Sequence, residues 1–422
     1  MHPNALLDLT SELLRSVLKL DSPADSLVSM FFRKHRDLGT RERHTLAETT
    51  YTVLRQRLLY LHLAQNAKHA DGPLERRLAI LAWQGNEGFL RGALNAQEQI
   101  WLAEVAKIDR AALPEKLRHN LPDWLANPLR EQLGDEFWPL VDELARSAPL
   151  DLRVNAMKAK REEVQQALLE AGIVAEPTPH SPWGLRIQGK PALSKLALFT
   201  GGHVEVQDEG SQLLALITDA KRGEMVVDFC AGAGGKTLAL GASMRNTGRL
   251  YAFDTSGHRL DALKPRLARS GLSNVHPAQI AHERDDRVKR LAGKIDRVLV
   301  DAPCSGLGTL RRNPDLKWRQ SPKALEELQA KQTAILASAS RLLKPGGRLV
   351  YATCSLLAVE NERVAEAFTA AHAADFEPLP ALDALQAARV DDPAPLVAGP
   401  YLRLWPHRHH TDGFFAAVWQ RR

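Results

Sequence analysis

Cysteine is scarce in this chain, with three residues among 422. No two of the three form a Cys-x-x-Cys pair, which argues against a disulfide framework and is typical of a reducing compartment. We expect no metal site, because zinc would need a fourth ligand and the spacing typical of zinc ligands. No run of 18 apolar residues occurs, so we expect no membrane span. The amino end lacks a basic region followed by an apolar core, and we expect a cytoplasmic protein without a signal segment.

The bulk composition is that of a globular protein with a small excess of positive charge. Hydrophobic residues make up 44%, charged residues 25%, and the formal net charge is +6. A mildly basic chain fits a polyanionic partner such as nucleic acid. The length predicts two or three domains, and we expect a monomer.

Residues 4–108 have the apolar spacing of helices, with leucines at positions 6, 7, 13, 14 and 18. Several arginines accompany the segment around Leu46 and Val53, namely Arg41, Arg43, Arg55 and Arg57. They form either a solvated helix face or a surface that contacts RNA.

Strand and helix patterns divide the rest of the chain. A strand at 150–155, a helix at 160–171 and a strand at 183–187 predict a small α+β module. From about residue 201 strands alternate with helices, which predicts an α/β, mostly parallel and doubly wound sheet. The expected strands of this sheet are 225–229, 249–254, 296–301, 347–352 and 414–419.

A glycine-rich turn follows the first of these strands and reads Asp-Phe-Cys-Ala-Gly-Ala-Gly-Gly-Lys-Thr from Asp228. Its glycines permit close backbone approach, and the following helix presents free N–H groups. A P-loop would need glycine where Cys230 stands, and a dinucleotide fingerprint would need glycine at Thr237. An adenosine cofactor without phosphates, S-adenosylmethionine, fits best. Asp254 ends the next strand, where it either accepts the ribose hydroxyls or caps a helix.

Two thiols follow two neighbouring strands: Cys304 in Asp-Ala-Pro-Cys-Ser-Gly and Cys354 in Thr-Cys-Ser. Strands adjacent in sequence are often adjacent in space, which would bring the thiols together with Asp301. Methylation of cytosine at carbon 5 needs such chemistry, because a thiolate must first add to carbon 6. An acid near ring nitrogen 3 and a base for the carbon 5 proton complete the reaction.

These motifs resemble the RNA 5-cytosine methyltransferases of the RsmB/NOP/NSUN type, most closely the bacterial branch that acts on 16S ribosomal RNA. Further matching stretches begin at Val206, Arg311 and Asp412, and Glu360-Asn361 follows Thr353-Cys-Ser. The chain is identified as a member of this family over residues 206–415. The fold implied is a Rossmann-like class I methyltransferase sheet.

The resemblance also implies roles for individual residues. Cys354 would be the nucleophile, Cys304 would assist breakdown of the covalent intermediate, and Asp301 would contact the cytosine and the cofactor. An acid that touches the adenine would be Asp285, with Glu283 as the alternative. S-adenosylmethionine would lie against Asp254 and the glycine loop, which consists of Cys230, Ala231, Gly232, Ala233, Gly234, Gly235 and Lys236.

The resemblance implies three domains: NusB-like and helical at 1–110, RRM-like at 120–200 and catalytic at 201–422. The first two would bind small-subunit ribosomal RNA. The Arg311-Arg312 pair would either contact RNA phosphates or form structural salt bridges. The chain departs from the family in two places. Gly232-Ala233 replace Ala-Pro in the glycine loop, which frees the backbone and would lower cofactor affinity, and Ala358 replaces a proline beside Cys354.

Two other functions compete with methyl transfer. An RNA-stimulated NTPase would use Gly235-Lys-Thr with Asp301 as a magnesium ligand, and would hydrolyse nucleotides. A non-catalytic RNA-binding factor would keep its function when Cys354 is replaced by alanine.

Overall fold

The computed structural model describes residues 1–66 and 72–422. Contacts between residues divide it into two units. The first comprises residues 1–147 together with 309–322, and the second comprises 148–308 together with 323–422. In the part of the chain described, no helix is both long enough and apolar enough to cross a bilayer.

The first unit is helical, as the apolar spacing predicts. Its helices before residue 147 are α1 Pro3–Val17, α2 Ala24–Lys34, α3 Thr40–Arg55, α4 Arg57–Asn66, α5 Leu74–Leu81, α6 Glu87–Ala93, α7 Ala96–Ala106, α8 Glu115–His119, α9 Asp123–Leu133 and α10 Phe137–Leu144. Helix α1 is buried on two sides: Leu7 and Leu14 pack in one apolar cluster, and Leu6 and Leu13 in another. Burial of each of these leucines stabilises the folded state by about 2 kcal/mol. Because its leucines pack in both clusters, α1 lies at the centre of this unit.

The segment 309–322 belongs to this helical unit although it lies far along the chain. The Trp318 indole donates to the Leu54 carbonyl over 2.9 Å, and Lys317 Nζ donates to the Arg55 carbonyl over 2.8 Å. Both contacts satisfy carbonyls at the carboxyl end of α3. At the start of α2, Asp315 accepts the Ala24 N–H over 3.2 Å.

Two of the arginines considered as possible RNA contacts are buried in this unit. Arg311 is 1% exposed and forms an ion pair with Glu143. Arg55 is 6% exposed and donates to the Arg311 carbonyl over 3.0 Å. The expectation that Arg311 meets RNA phosphates is therefore wrong, and the alternative of a structural salt bridge is confirmed. For Arg55 both interpretations, a solvated face and an RNA-facing surface, are wrong. A buried guanidinium is costly unless it is paired, and these side chains therefore bind partners within the protein.

The second unit contains two sheets. Its strands are β1 Leu150–Val154, β2 Ala175–Pro177, β3 Gly184–Ile187, β4 Val204–Val206, β5 Met225–Asp228, β6 Arg249–Asp254, β7 Val275–Gln279, β8 Ile295–Asp301, β9 Leu343–Thr353, β10 Phe376–Leu379, β11 Val397–Ala398, β12 Tyr401–Leu404 and β13 Phe414–Arg421. The remaining helices of the chain are α11 Arg161–Glu170, α12 Ala197–Thr200, α13 Glu209–Thr218, α14 Gly235–Ser243, α15 Gly257–Ser270, α16 Asp286–Lys289, α17 Leu316–Arg319, α18 Pro322–Ser340, α19 Glu362–Ala371, α20 Ala381–Ala387 and α21 Pro406–His409. Of these, α17 lies in the segment that belongs to the helical unit.

The small sheet is antiparallel in the order β2-β3-β1-β4. On one face Leu152 and Leu185 pack with Val164 and Leu168 of α11. Alternate residues reach the other face, where Asp151 and Arg153 are buried although they carry charge. Asp151 accepts the Glu209 N–H over 3.2 Å, and Arg153 donates to the Gly235 carbonyl over 2.6 Å.

The large sheet has the order β11-β12-β13-β9-β8-β5-β6-β7, and β10 pairs with β13. Strands β5 to β9 pair in parallel, whereas β10 to β13 pair antiparallel. This is the predicted Rossmann-like α/β sheet, and the prediction is confirmed. The strand order reverses between β5 and β8, which is where open α/β sheets bind ligands.

Strand β7 was absent from the sequence-based set. It contains Pro277, which normally argues against a strand because it lacks an N–H donor. The strand lies at the edge of the sheet, and among residues 1–66 and 72–422 it pairs only with β6. An edge position needs hydrogen bonds on one side only, and this explains why proline is tolerated here.

Candidate active site

The glycine loop connects β5 to α14 at the point where the strand order reverses. Gly234 has φ +84° and would place a Cβ 2.1 Å from Leu263, so only glycine fits. Gly232 has φ +55°, and a Cβ there would meet nothing within 4 Å. The loop therefore packs tightly at Gly234 and borders open space at Gly232.

Asp254 holds the loop in place from the end of β6. Its Oδ2 accepts the Gly232 N–H over 2.8 Å, and its Oδ1 accepts the Ser256 N–H over 2.7 Å. Both oxygens are thus engaged with backbone, and the side chain is 6% exposed. A contact with a ribose stays a prediction.

Two arginines hold the carbonyl groups of the same loop, a feature the sequence analysis missed. Arg153 donates to the Gly235 carbonyl over 2.6 Å and to the Gln207 side chain. Arg266 donates to the Ala233 carbonyl over 2.6 Å and pairs with Glu205. Burial lowers the pKa of Arg153 to about 10. Arg153 on the polar face of the small sheet and Arg266 on α15 therefore both support the glycine loop.

Asp228, at the start of the glycine-rich turn, is a further residue without a role in the sequence-based prediction. The Thr237 hydroxyl donates to its Oδ2 over 2.7 Å, and its Oδ1 is buried without a partner among the described residues. Burial raises the pKa of this carboxyl group to about 7, and nearby Asp301 adds to the effect. One buried acceptor thus remains unsatisfied beside the glycine loop.

Lys236, the last residue of the glycine loop, contacts the predicted cytosine-binding acid Asp301. Its Nζ is 2.8 Å from Asp301 Oδ2, and the ammonium lies 5.7 Å from the centre of the Phe414 ring. Burial disfavours the charge, but the interaction with Asp301 outweighs this and raises the pKa of Lys236. Asp301 is therefore paired with a cation of the protein itself.

The predicted thiol pair is close in space: Cys304 Sγ and Cys354 Sγ are 3.4 Å apart. Their parent strands, β8 and β9, pair in parallel, so both thiols follow the same edge of the sheet. The hydrogen bond with Cys354, together with burial, raises the pKa of Cys304 well above its ordinary value. Cys304 therefore holds its proton at neutral pH.

Cys230 is the third thiol of the predicted site. Burial raises its pKa well above the ordinary value, and the charges of Asp301 and Asp228 add to this. It packs against the apolar cluster of the sheet. We expect a protonated and unreactive group at this position.

A buried hydrogen-bond network surrounds the loop that carries Cys354. Asn361 accepts from the Thr353 hydroxyl and donates to the Ser355 carbonyl over 3.0 Å. Arg403 of β12 donates to the Leu356 carbonyl over 2.7 Å and is 4% exposed. These bonds fix the backbone on the carboxyl side of the thiol.

Asp285, predicted to touch adenine, forms the amino-terminal cap of α16. Its oxygens accept the N–H groups of Ala281 and Arg287, both over 2.9 Å, and these bonds lower its pKa. It also borders a cavity of about 530 Å³ at the end of β7. Glu283, the alternative, lies 3.3 Å from Arg284. Adenine contact by either acid stays a prediction.

A metal site has no candidate among residues 1–66 and 72–422. In that part of the chain no three His, Cys, Asp or Glu side chains lie close enough together to hold an ion.

Comparison with known sequences identifies the family. The model of the family described as 16S rRNA methyltransferase RsmB/F matches residues 215–420, and that of the RsmF/B-like ferredoxin-like domain matches 121–194. The probable ribosomal RNA small subunit methyltransferase B of Synechocystis is 36% identical over 332 residues, 78% of this chain and 72% of the relative. The corresponding Bacillus subtilis protein is 32% identical, over 81% of this chain and 76% of its own length.

This chain belongs to the RsmB/F family of 16S rRNA methyltransferases. The expected resemblance is confirmed, and so is S-adenosylmethionine as the cofactor of the family. Among solved structures, PH0851 is similar with a TM-score of 0.80 and 26% identity, covering 99% of both chains. The structure of NSun6 from Pyrococcus horikoshii with SFG has a TM-score of 0.62 and 21% identity, covering 71% of this chain and 98% of that one. The second likeness supports the fold alone.

Proposed function

We propose that this protein transfers a methyl group from S-adenosylmethionine to carbon 5 of a cytosine in 16S ribosomal RNA, through a covalent bond between Cys354 and the base. The observation that carries the proposal is the 3.4 Å separation of the Cys304 and Cys354 sulfurs. A pair of thiols beside a paired acid suits addition to a pyrimidine better than it suits phosphate chemistry.

The residues of the glycine loop fit the cofactor. Gly232 borders open space, and the unpaired Oδ1 of Asp228 offers a buried acceptor near the loop. Residues 230–236 with Asp254 would hold S-adenosylmethionine, and Asp285 and Asp301 are the further contacts that the family resemblance implies. When bound, the cofactor supplies an electrophilic methyl group.

Cys354 would begin the reaction by adding to carbon 6 of the cytosine, which makes carbon 5 nucleophilic. Asp301 would then face ring nitrogen 3, and Lys236 next to it would stabilise the negative charge that develops on the base. After methylation, removal of the carbon 5 proton lets the Cys354 sulfur leave.

Cys304 would act in that last stage. Its raised pKa keeps a proton on its sulfur at neutral pH, so it can donate a hydrogen bond to the Cys354 sulfur as that thiolate departs. This arrangement favours release of product over return of the covalent bond.

The proposal also includes RNA binding by the helical region 1–110 and by the α+β region 120–200. Exposed Arg41 of α3 remains available for phosphate contacts. Arg55 and Arg311 are buried, and Arg43 donates to the Leu38 carbonyl over 2.9 Å. No observation favours the two competing functions. A magnesium-binding role for Asp301 would have to break its 2.8 Å ion pair with Lys236.

The proposal is tested with unmodified 16S ribosomal RNA from a strain that lacks the gene, incubated with the purified protein and S-adenosylmethionine. Bisulfite sequencing should reveal one newly protected cytosine, and none with the Cys354→Ala variant. Methylation at another base atom, or equal protection with that variant, would contradict the proposal.

A further inference from the structure

The carboxyl group of Glu360 lies between the two loops that carry the thiols. Its Oε1 accepts the Ser305 N–H over 2.8 Å and the Gln332 amide over 3.0 Å. Its Oε2 accepts the hydroxyl groups of Ser305 and Ser355, each over 2.5 Å. One side chain thus binds both loops at the residue that follows each reactive cysteine.

Glu360 is completely buried, with 0% exposure. A buried carboxyl group is costly unless its oxygens are satisfied, and here four donors converge on two oxygens. Its own backbone is also fixed, because the Tyr351 hydroxyl of β9 donates to the Glu360 carbonyl over 2.5 Å. The side chain therefore forms a rigid link rather than an adjustable one.

The hydrogen bonds to Glu360 join two loops that are far apart in the sequence. Ser305 follows β8 and Ser355 follows β9, and their hydroxyl oxygens lie 3.3 Å apart where they meet at Oε2. The sulfurs of Cys304 and Cys354, one residue earlier in each loop, lie 3.4 Å apart. The spacing of the thiols therefore follows the spacing that Glu360 sets for the serines.

We propose that Glu360 is a positioning residue that fixes the distance between the Cys304 and Cys354 thiols. Its effect on catalysis rests on the function proposed above, whereas its effect on the distance does not. When the two thiols are at this distance, Cys354 can attack the cytosine and Cys304 can then assist release of the methylated product in the same site. Without Glu360, attack continues but release is slowed.

Two substitutions separate a positioning role from a general packing role. Glu360→Ala removes the acceptor of all four hydrogen bonds. Glu360→Gln keeps an oxygen for the fixed N–H donors of Ser305 and Gln332, while its amide donates to the two serine hydroxyls, which rotate to accept. The glutamine variant should therefore keep the thiol spacing that the alanine variant loses. Glu366→Ala on α19 removes an exposed carboxyl group and is the matched control.

The first measurement needs no RNA. Diamide oxidises two adjacent thiols to a disulfide and takes up both protons as it is reduced to its hydrazine form. Mass spectrometry of the linked peptides then reports the rate of Cys304–Cys354 bond formation. We expect this rate to fall about tenfold in Glu360→Ala, as for the loss of hydrogen bonds to a charged group, and to stay near wild type in Glu360→Gln and Glu366→Ala. An unchanged rate in Glu360→Ala would overturn the proposal.

The second measurement uses 16S ribosomal RNA and S-adenosylmethionine. The Glu360→Ala variant should turn over more slowly than wild type, and a larger fraction of it should run as a covalent RNA adduct on a denaturing gel. The Glu360→Gln variant should resemble wild type in both turnover and adduct. If Glu360→Ala and Glu360→Gln lost turnover to the same extent and neither formed the adduct, the positioning role would be overturned. If the proposed function itself fails, wild type also yields neither adduct nor methylation, and the diamide result still decides the spacing.

Binding of S-adenosylhomocysteine reports whether each variant is folded. Should Glu360→Ala lose that binding, the double variant Ser305→Ala with Ser355→Ala replaces it, because it removes both hydroxyl donors and leaves the carboxyl group in place. The same slower disulfide formation is expected there, and a wild-type rate would contradict the proposal.

Discussion

The Lys236 ammonium lies 2.8 Å from the Asp301 carboxyl group at the point where the large sheet reverses its strand order. One residue comes from the glycine loop after β5 and the other from the end of β8. The pair thus joins the proposed cofactor pocket to the proposed cytosine pocket.

Replacing Lys236 by methionine should slow methyl transfer about 100-fold, because the variant keeps the bulk of the side chain but removes the cation that stabilises developing negative charge. Lys236→Arg should recover part of the rate. Single-turnover transfer of a tritiated methyl group measures the effect, and an unchanged rate in Lys236→Met would remove this residue from the mechanism.

Arg153 links the small sheet to the glycine loop through the Gly235 carbonyl. We expect Arg153→Met to raise the KM for S-adenosylmethionine about tenfold, the effect of losing hydrogen bonds from a charged group, with a smaller change in kcat. Arg186→Met is the matched control, because Arg186 lies on the same face but pairs with Asp151. Equal KM changes in both variants would show that the loop contact is not responsible.

Arg311 is predicted to stabilise the helical unit rather than bind RNA. Arg311→Met leaves Glu143 without its buried partner and should lower the free energy of unfolding by about 3 kcal/mol. Arg146, which is 73% exposed and lies 3.8 Å from the same glutamate, should have little effect when replaced by methionine. Urea unfolding measures both variants. A large loss of RNA affinity by folded Arg311→Met, at unchanged stability, would favour the phosphate contact instead.

Lys317 should make stability depend on pH. Burial lowers its pKa to about 7 in the folded chain, whereas an unfolded lysine titrates near about 10.4. Between these values the unfolded state binds more protons, so the free energy of unfolding should rise as the pH increases from about 7 to about 10. Lys317→Met should lose this rise. Urea midpoints at both ends of the range test it, and parallel slopes for wild type and variant would contradict it.

Much of the fold follows from local patterns in the sequence. The alternation of strands and helices after residue 201 predicts the parallel sheet, because a parallel pair needs a crossover helix. The cysteines at 304 and 354 could be brought together on the same reasoning, since β8 and β9 follow one another. Pro277 concealed β7, because sequence alone does not tell an edge strand from a central one.

Other features depend on contacts between distant residues, which periodicity does not encode. The basic motif at Arg311 has the composition of a phosphate-binding surface, yet its partner, Glu143, lies 168 positions earlier. Glu360 was recognised as part of a motif, but the donors that surround it come from three different segments. The spacing of residues along the chain predicts which side chains share a face of a helix or strand. The partners of those side chains in distant segments become apparent only in the folded structure.

The most direct test of the account is a denaturing gel of protein incubated with 16S ribosomal RNA and S-adenosylmethionine. Cys304→Ala should accumulate a covalent protein–RNA adduct, and adding Cys354→Ala to it should abolish that adduct. An adduct that persists without Cys354, or normal methylation by the Cys354→Ala variant, would contradict the central claim that this sulfur bonds to the base.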